Sequence, residues 1–244
     1  MLELSLVFPC FNEADNLPRL VENIADAYAG NEMSVEIILV DNGSTDHTQE
    51  ILGHLIAPYP YMQTCRVPIN RGYGFGILSG LSIATGEILG WTHADMQTDP
   101  KDALEGLSLF RQSADYEQLF VKGRRCSRPV RDQIFTFGMS AFESLLFGVR
   151  MWEINAQPTM FHRRFYSSWN DPPNDFLLDL FVYIAASQSD LTIKRFPVYF
   201  GNRTAGVGEN DQLFQKVANS RKTLIDSLAL RRRLHNDRYG GANR

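Results

Sequence analysis

The sequence predicts an α/β protein with a mainly parallel central sheet flanked by helices. Two strand-like runs, 2–8 (LELSLVF) and 35–40 (VEIILV), bracket a helical pattern within the first 40 residues. Strand–helix–strand units of this kind build parallel sheets. The second run is apolar without alternation, as expected for a strand buried on both faces. Strand-like runs in the first hundred residues also end abruptly in polar or glycine-rich segments: PCFNE, DNGSTD, NRGYGFG and THADMQTDP. In an open α/β sheet, ligands bind beyond the carboxyl ends of the strands.

In chain order, Leu4, Leu6 and Phe8 alternate with Glu3, Ser5 and Val7, and Pro9 is expected to stop this first strand. Asn16 can cap a helix with Pro18 in its first turn. Leu17, Leu20, Val21, Ile24 and Tyr28 keep helical spacing, and Gly30 offers a stop. After the strand 35–40, Gly43 permits a tight turn, and Ser44 or Thr45 can cap a helix over 48–56. A third strand is read over 61–67, a helix over 77–84 and a fourth strand over 88–91. Further on come a strand over 119–122, an unusually apolar helix over 131–149, a helix over 175–187 and a strand over 191–200. Pro197 places that last strand at an edge. A final helix is expected near 212–234.

The 244 residues are 44% hydrophobic and 21% charged, enough for one large domain or two small ones with a sizeable core. A formal net charge of -4 gives no chain-wide footprint for nucleic acid, so none is expected as a partner. Cys10, Cys65 and Cys126 match no zinc or redox spacing, and their odd number fits a reducing compartment. The N-terminal MLELSLVFPCFNE lacks a basic region and a small-residue cleavage site, so no signal peptide is expected. No stretch of about 20 apolar residues suggests a spanning helix.

Asp41 stands at the tip of the second strand, placed to accept hydrogen bonds from a ribose or a base. His93, Asp95 and Gln97 alternate after the fourth strand. In an extended segment they would share one face, a donor set suited to Mg or Mn. The competing reading makes 92–100 an ordinary loop, with Thr98 or Asp99 capping the next helix. The glycines of NRGYGFG permit close approach to a phosphate but lack the full dinucleotide fingerprint.

Four segments together resemble glycosyltransferase family 2: Pro9-Cys10-Phe11-Asn12-Glu13, Val40–Asp46, Asn70–Gly76 and His93-Ala94-Asp95-Met96-Gln97. Within that family the chain is most similar to dolichol- or polyprenyl-phosphate sugar transferases. Gly123-Arg124-Arg125 is similar to their G-S-R segment, and Val198–Glu209, with Arg203, to their P-V-x-x-x-x-R-x-x-G segment. His93 stands where the family usually has an Asp, and Asn155–Thr159 where close relatives have a D-x-x-S-G-F stretch. The resemblance implies a Rossmann-like nucleotide-sugar-binding domain of the GT-A type and a nucleotide-diphospho-sugar donor. It also implies a divalent cation, Mg or Mn, and inversion at the anomeric carbon. On this basis Pro9, Glu13, Asp41, Gly43, Asn70, Gly72 and Gly76 would bind the donor. Asp95, Gln97 and His93 would hold the metal, and Arg125 and Arg203 the acceptor. Residues 1–210 would form the catalytic domain, with a donor half 1–120 and an acceptor half 121–210. Residues 211–244 would add a basic amphipathic helix and tail.

The acceptor reading rests on cations beside greasy surface. Lys122, Arg124, Arg125, Arg128 and Arg131 precede the apolar helix, whose narrow polar stripe is Asp132, Thr136, Ser140 and Glu143. Such a helix is either core or membrane-interfacial. A polyprenyl phosphate, approached from a peripheral position on the inner face of the membrane, is the expected acceptor. A soluble glycan hydroxyl is the alternative, and it would need a base. Asp175 and Asp179, four apart on one helix, would supply it; with Asp95, Asp179 is the catalytic candidate. The exchange of an Asp for His93 leaves open a catalytically silent nucleotide-sugar-binding protein. The glycine-rich stretch 203–210 would suit a closing lid.

Overall fold

The computed structural model describes residues 2–126, 130–201 and 223–234. Arg203, the candidate lid 203–210 and the boundary at 210 lie outside them.

The first 126 residues alternate strand and helix: β1 (Leu4–Cys10), α1 (Leu17–Tyr28), β2 (Val35–Asn42), α2 (Thr48–Leu55), β3 (Met62–Val67), α3 (Tyr73–Ile83), β4 (Ile88–Trp91), α4 (Asp102–Arg111) and β5 (Leu119–Cys126). After α5 (Val130–Phe147) follow β6 (Thr159–His162), α6 (Arg163–Ser167), α7 (Leu178–Gln188) and β7 (Thr192–Tyr199). A last helix, α8, spans 223–234. One seven-stranded sheet runs in the order β3-β2-β1-β4-β6-β5-β7. All neighbours are parallel except β6, which runs antiparallel between β4 and β5. The α/β class and mainly parallel sheet expected from the sequence are found, with β7 and its Pro197 at the edge.

The sheet is covered on both faces. Leu4, Leu6 and Phe8 of β1 and Val35, Ile37 and Leu39 of β2 pack with α1, Leu52 of α2, and Ala103, Leu107 and Phe110 of α4. On the other face α3 lies so close that a side chain at Gly80 would strike Val7 and Val40. Farther along that face, Phe120 and Phe161 join Phe165, Trp169 and Tyr183 in an aromatic cluster under α6 and α7.

Several expectations are corrected. β1 does not stop at Pro9 but continues to Cys10. β4 pairs only Leu4–Val7, so at Pro9 the strand has a single neighbour, and a missing N–H is tolerated as at an edge. α3 starts at Tyr73, so Gly74 and Gly76 are helical rather than loop glycines. β5 runs on through Gly123, Arg124 and Arg125, which are strand residues and not a basic loop. α7 starts at Leu178, so Asp175 precedes the helix that holds Asp179. Asp175 instead accepts the N–H of Leu177 at 3.0 Å. Asp46, rather than Ser44 or Thr45, accepts the Thr48 N–H at the start of α2 (3.0 Å).

The chain divides into two compact units. One comprises 1–128 and 155–205 and holds the sheet. The other comprises 129–154 and 206–244, so α5 groups with the C-terminal stretch rather than with the strands flanking it in sequence.

Candidate functional site

The parallel strands β1, β2 and β4 point their carboxyl ends to one edge of the sheet, and the loops there are tied together. Asn12 N–H donates to Ser44 Oγ at 3.0 Å, while Asn12 Oδ1 accepts from Thr45 N at 2.9 Å. Glu13 N–H donates to Thr48 Oγ1 (3.0 Å), and Glu13 Oε2 accepts from Asn16 Nδ2 (2.6 Å). The PCFNE and DNGSTD segments therefore brace one another. Cys10, in the first of them, is fully buried and pairs in register with Asp41. Burial, followed by the Glu13 and Asp41 carboxylates, raises its thiol pKa.

Asp41 is buried at the tip of β2. Its Oδ1 accepts the Ser44 N–H at 3.0 Å, and its Oδ2 lies 3.9 Å from Arg66 on the neighbouring strand. Gly43 has φ +73, and its Cα faces the backbone of Ile69 and Asn70 too closely for any side chain. Asn70 Oδ1 accepts the Gly72 N–H at 2.8 Å, and Gly72 O accepts from Asn42 Nδ2 at 3.0 Å. The space beside Gly72 and Gly74 is filled by the backbone of Pro173–Asp175, and that beside Gly76 by Asn42. These three glycines admit the protein's own chain, a packing need that accounts for them without a phosphate.

Beyond β4 the chain does not stay extended. It bends over Ala94–Thr98, and Met96 takes φ +63. His93, Asp95 and Gln97 therefore do not line one face of a strand. Asp95 is buried, with Oδ1 accepting the Gln97 N–H at 3.2 Å, and His93 is half-buried. Gln97 is held by Gly201, whose N–H donates to Gln97 O at 2.9 Å. Among the described residues no three His, Cys, Asp or Glu side chains form a metal cage. One carboxylate with an imidazole and an amide nearby fits a cation whose coordination is completed by a substrate diphosphate.

Asp179 is paired inside the protein. Lys122, fully buried, places Nζ 3.5 Å from Asp179 Oδ1 and 2.6 Å from Thr159 Oγ1. Burial pulls the Lys122 pKa down to about 8, with the Asp179 carboxylate opposing the shift. Nearby, Gln157 Nε2 donates to the Tyr73 hydroxyl, and the Tyr73 ring stacks on Phe176 at 4.9 Å. Burial first, then the Asp179 and Asp95 charges, push the Tyr73 pKa up. Lys122, Tyr73 and Gln157 were not singled out by the sequence reading for these places. The available signal for Lys122 was its position inside the apolar run LFVK. Arg125 is half-buried on the opposite face of β5, with its guanidinium 5.3 Å from the Phe200 ring centre.

The family model described as Glycosyl transferase family 2 matches residues 5–167, about two thirds of the chain. The chain belongs to glycosyltransferase family 2. Curated relatives of this family 2 chain include an undecaprenyl-phosphate 4-deoxy-4-formamido-L-arabinose transferase of Yersinia enterocolitica. It is 32% identical over 115 residues, 46% of this chain and 35% of the relative. The corresponding protein of Photorhabdus laumondii is 31% identical over 135 residues, 54% and 39% of the two chains. The chain thus matches little more than a third of the length of these relatives. Glucosyl-3-phosphoglycerate synthase from Mycobacterium tuberculosis, solved with Mn2+, UDP and glucosyl-3-phosphoglycerate, superposes with a TM-score of 0.71. That match is at 16% identity and covers 94% of this chain and 79% of the other. A mannosyltransferase from Pyrobaculum calidifontis, solved with GDP-Man and Mn2+, gives a TM-score of 0.63 at 21% identity over 84% and 58%. These likenesses establish a GT-A-type fold.

Proposed function

We propose that this family 2 chain transfers a sugar from a nucleotide-diphospho-sugar to a polyprenyl phosphate, with inversion, in the presence of Mg or Mn. The observation that carries the reading is the burial of two carboxylates, Asp41 and Asp95, at the ends of β2 and β4 on one sheet edge. The curated relatives are named as undecaprenyl-phosphate sugar transferases, and the solved neighbours carry UDP or GDP-Man with Mn2+. In this reading Asp41 holds the nucleoside, with Pro9 of β1, Glu13, Gly43, Asn70 and Gly72 of the loops and Gly76 near the start of α3 around it. Asp95, with His93 and Gln97, holds the cation, which supplies charge neutralisation for the leaving diphosphate. An acceptor phosphate oxygen attacks the anomeric carbon as the bond to the diphosphate breaks. The phosphate is already ionised near neutral pH and needs no strong base. Arg125 and Arg203 position it through paired donors. Asp179, paired with Lys122, would serve as base only for a hydroxyl acceptor. Residues 1–120 act on the donor, and acceptor contacts come from 121–210.

Membrane docking is assigned to the unit formed by 129–154 and 206–244. Its α5 is inverted relative to a water-facing amphipathic helix. The polar Ser140 and Glu143 are buried, and Ser227 Oγ of α8 donates to Glu143 Oε1 at 2.6 Å. Meanwhile Phe137 and Leu145 are 57% and 86% exposed. The Trp152 ring lies against Phe137, and α8 exposes Ile225 and Leu228 with Arg231 and Arg232 beyond them. Among the described residues no helix is long and apolar enough to cross a membrane. Apolar insertion plus basic attraction to anionic lipid is a two-signal anchor, peripheral and reversible.

The test is transfer from a panel of UDP- and GDP-sugars with Mn2+ to undecaprenyl phosphate in anionic liposomes, with Asp95→Asn as the paired variant. Lipid-linked sugar is expected from the parent and none from a folded Asp95→Asn. If the protein stays in the supernatant at low salt and sugar reaches only a soluble glycan, the lipid-acceptor reading is wrong. Unchanged turnover in Asp95→Asn removes the metal assignment.

A further inference from the structure

The residues proposed for the donor and for the acceptor meet on one aromatic ring. On β5 and β7, Arg125 stands in register with Val198. Phe196 and Val198 share one face of β7, and Phe200 follows the last strand residue, Tyr199, close enough for the long Arg125 side chain to reach its ring. The guanidinium lies 5.3 Å from the Phe200 centroid, in the range of a cation–π contact. The same ring meets the His93 imidazole edge-on, with centroids 6.4 Å apart and planes at 72°. The next residue, Gly201, clamps the His93–Gln97 segment from the other end. Its N–H donates to Gln97 O at 2.9 Å, and its carbonyl accepts from Gln97 Nε2 at 3.4 Å.

We infer that Phe200 is a positioning residue that holds Arg125 and His93 at once, and so couples the acceptor phosphate to the donor end of the site. This rests on the reading that Arg125 binds the acceptor phosphate. The ring fixes the long arginine side chain before the phosphate arrives, so less freedom is lost on binding. It also fixes the imidazole beside Asp95. Neither contact requires Phe200 to touch a substrate. A leucine would fill much of the volume but present no negative π-face to the guanidinium and no ring to the imidazole.

The probes are farnesyl phosphate for the acceptor end and UDP or GDP with Mn2+ for the donor end, titrated calorimetrically against the full chain. Phe200→Leu is expected to weaken both probes, farnesyl phosphate by roughly 3- to 30-fold. Arg125→Ala is expected to weaken farnesyl phosphate alone. The double variant should lose no more farnesyl phosphate affinity than Arg125→Ala, because the ring acts through that arginine. Phe200→Tyr, which keeps the ring, should restore both affinities. A mere loss of stability would not produce this pattern, and the melting temperatures of the parent and the four variants check it. If Arg125→Ala weakens farnesyl phosphate but Phe200→Leu leaves it unchanged, or the two losses add, the coupling is overturned while the acceptor reading stands. It is overturned also if Phe200→Leu spares the nucleotide. If farnesyl phosphate binds the parent and Arg125→Ala equally, the acceptor reading itself fails and the inference with it.

Discussion

Replacing Lys122 by Met tests the buried ion pair most directly. The ammonium is wholly inside the protein, 3.5 Å from an Asp179 carboxylate that is 3% exposed. Methionine keeps much of the side-chain volume but strands the carboxylate. Breaking a buried pair from one side costs about 3–5 kcal/mol, a large part of the roughly 5–15 kcal/mol that holds a domain folded. The pair also leaves a signature in pH. Lys122 titrates at about 8 in the folded protein against 10.5 as the ordinary value, with burial as the main cause. Between those values the unfolded chain holds more protons. Parent stability should therefore climb with pH from about 8 to 10.5, by up to about 3 kcal/mol, and this group contributes no slope below 8. Urea unfolding of parent and Lys122→Met, followed by tryptophan fluorescence at pH 7, 8, 9 and 10, reads both effects. Subtracting the two curves removes the other titrating groups. The reasoning is refuted if Lys122→Met costs under about 1 kcal/mol, or if parent and variant share the same slope above pH 8. Adding Asp179→Leu to Lys122→Met should recover much of the loss, since neither buried charge then remains.

Asp41→Ala should lower nucleoside-diphosphate affinity roughly tenfold to a hundredfold, the worth of one charged hydrogen bond; equal affinities by calorimetry for parent and variant would remove that contact. Asp102→Asn should stabilise the protein more at pH 8 than at pH 5. Burial, then Asp99 and Glu105, raise the Asp102 pKa to about 7, so its contribution is present at low pH and lost as pH rises through 7. Equal gains in melting temperature at both pH values would dismiss the effect.

The donor side of the fold was legible because its signals are local. VEIILV has no alternation and sits buried on both faces; Leu17 to Tyr28 keeps one helical face; β4 covers 88–91 as the apolar run indicated. What escaped depends on partners distant in the chain. β6 is four buried residues with no alternation to read, and its antiparallel direction is set by β4 and β5 on either side. NRGYGFG looked like a loop because glycines disfavour helix. Gly74 and Gly76 nonetheless lie in α3, where Pro173–Asp175 and Asn42 fill the space a side chain would take. Lys122 resembled one more charge in a basic run until the fold brought Asp179 and Thr159 to it. Asp41 and Asp95 were placed by their strand ends, whereas the bend at Met96 that rearranges His93 and Gln97 has no sequence signature.

The antiparallel β6 has a consequence for how the protein can vary. Lys122 of β5 pairs with Thr159 of β6, and Phe120 with Phe161. However long the chain between them, the two strands are joined as the arms of a hairpin. The chain between β5 and β6 is therefore an insertion, in sequence, between two paired strands. Lengthening a loop of this kind costs slowly, about 0.6 kcal/mol for each doubling. Register in the seven strands is indifferent to what the insertion contains. The strands that present Asp41 and Asp95 can keep their pairing while this single contiguous stretch is exchanged, shortened or extended.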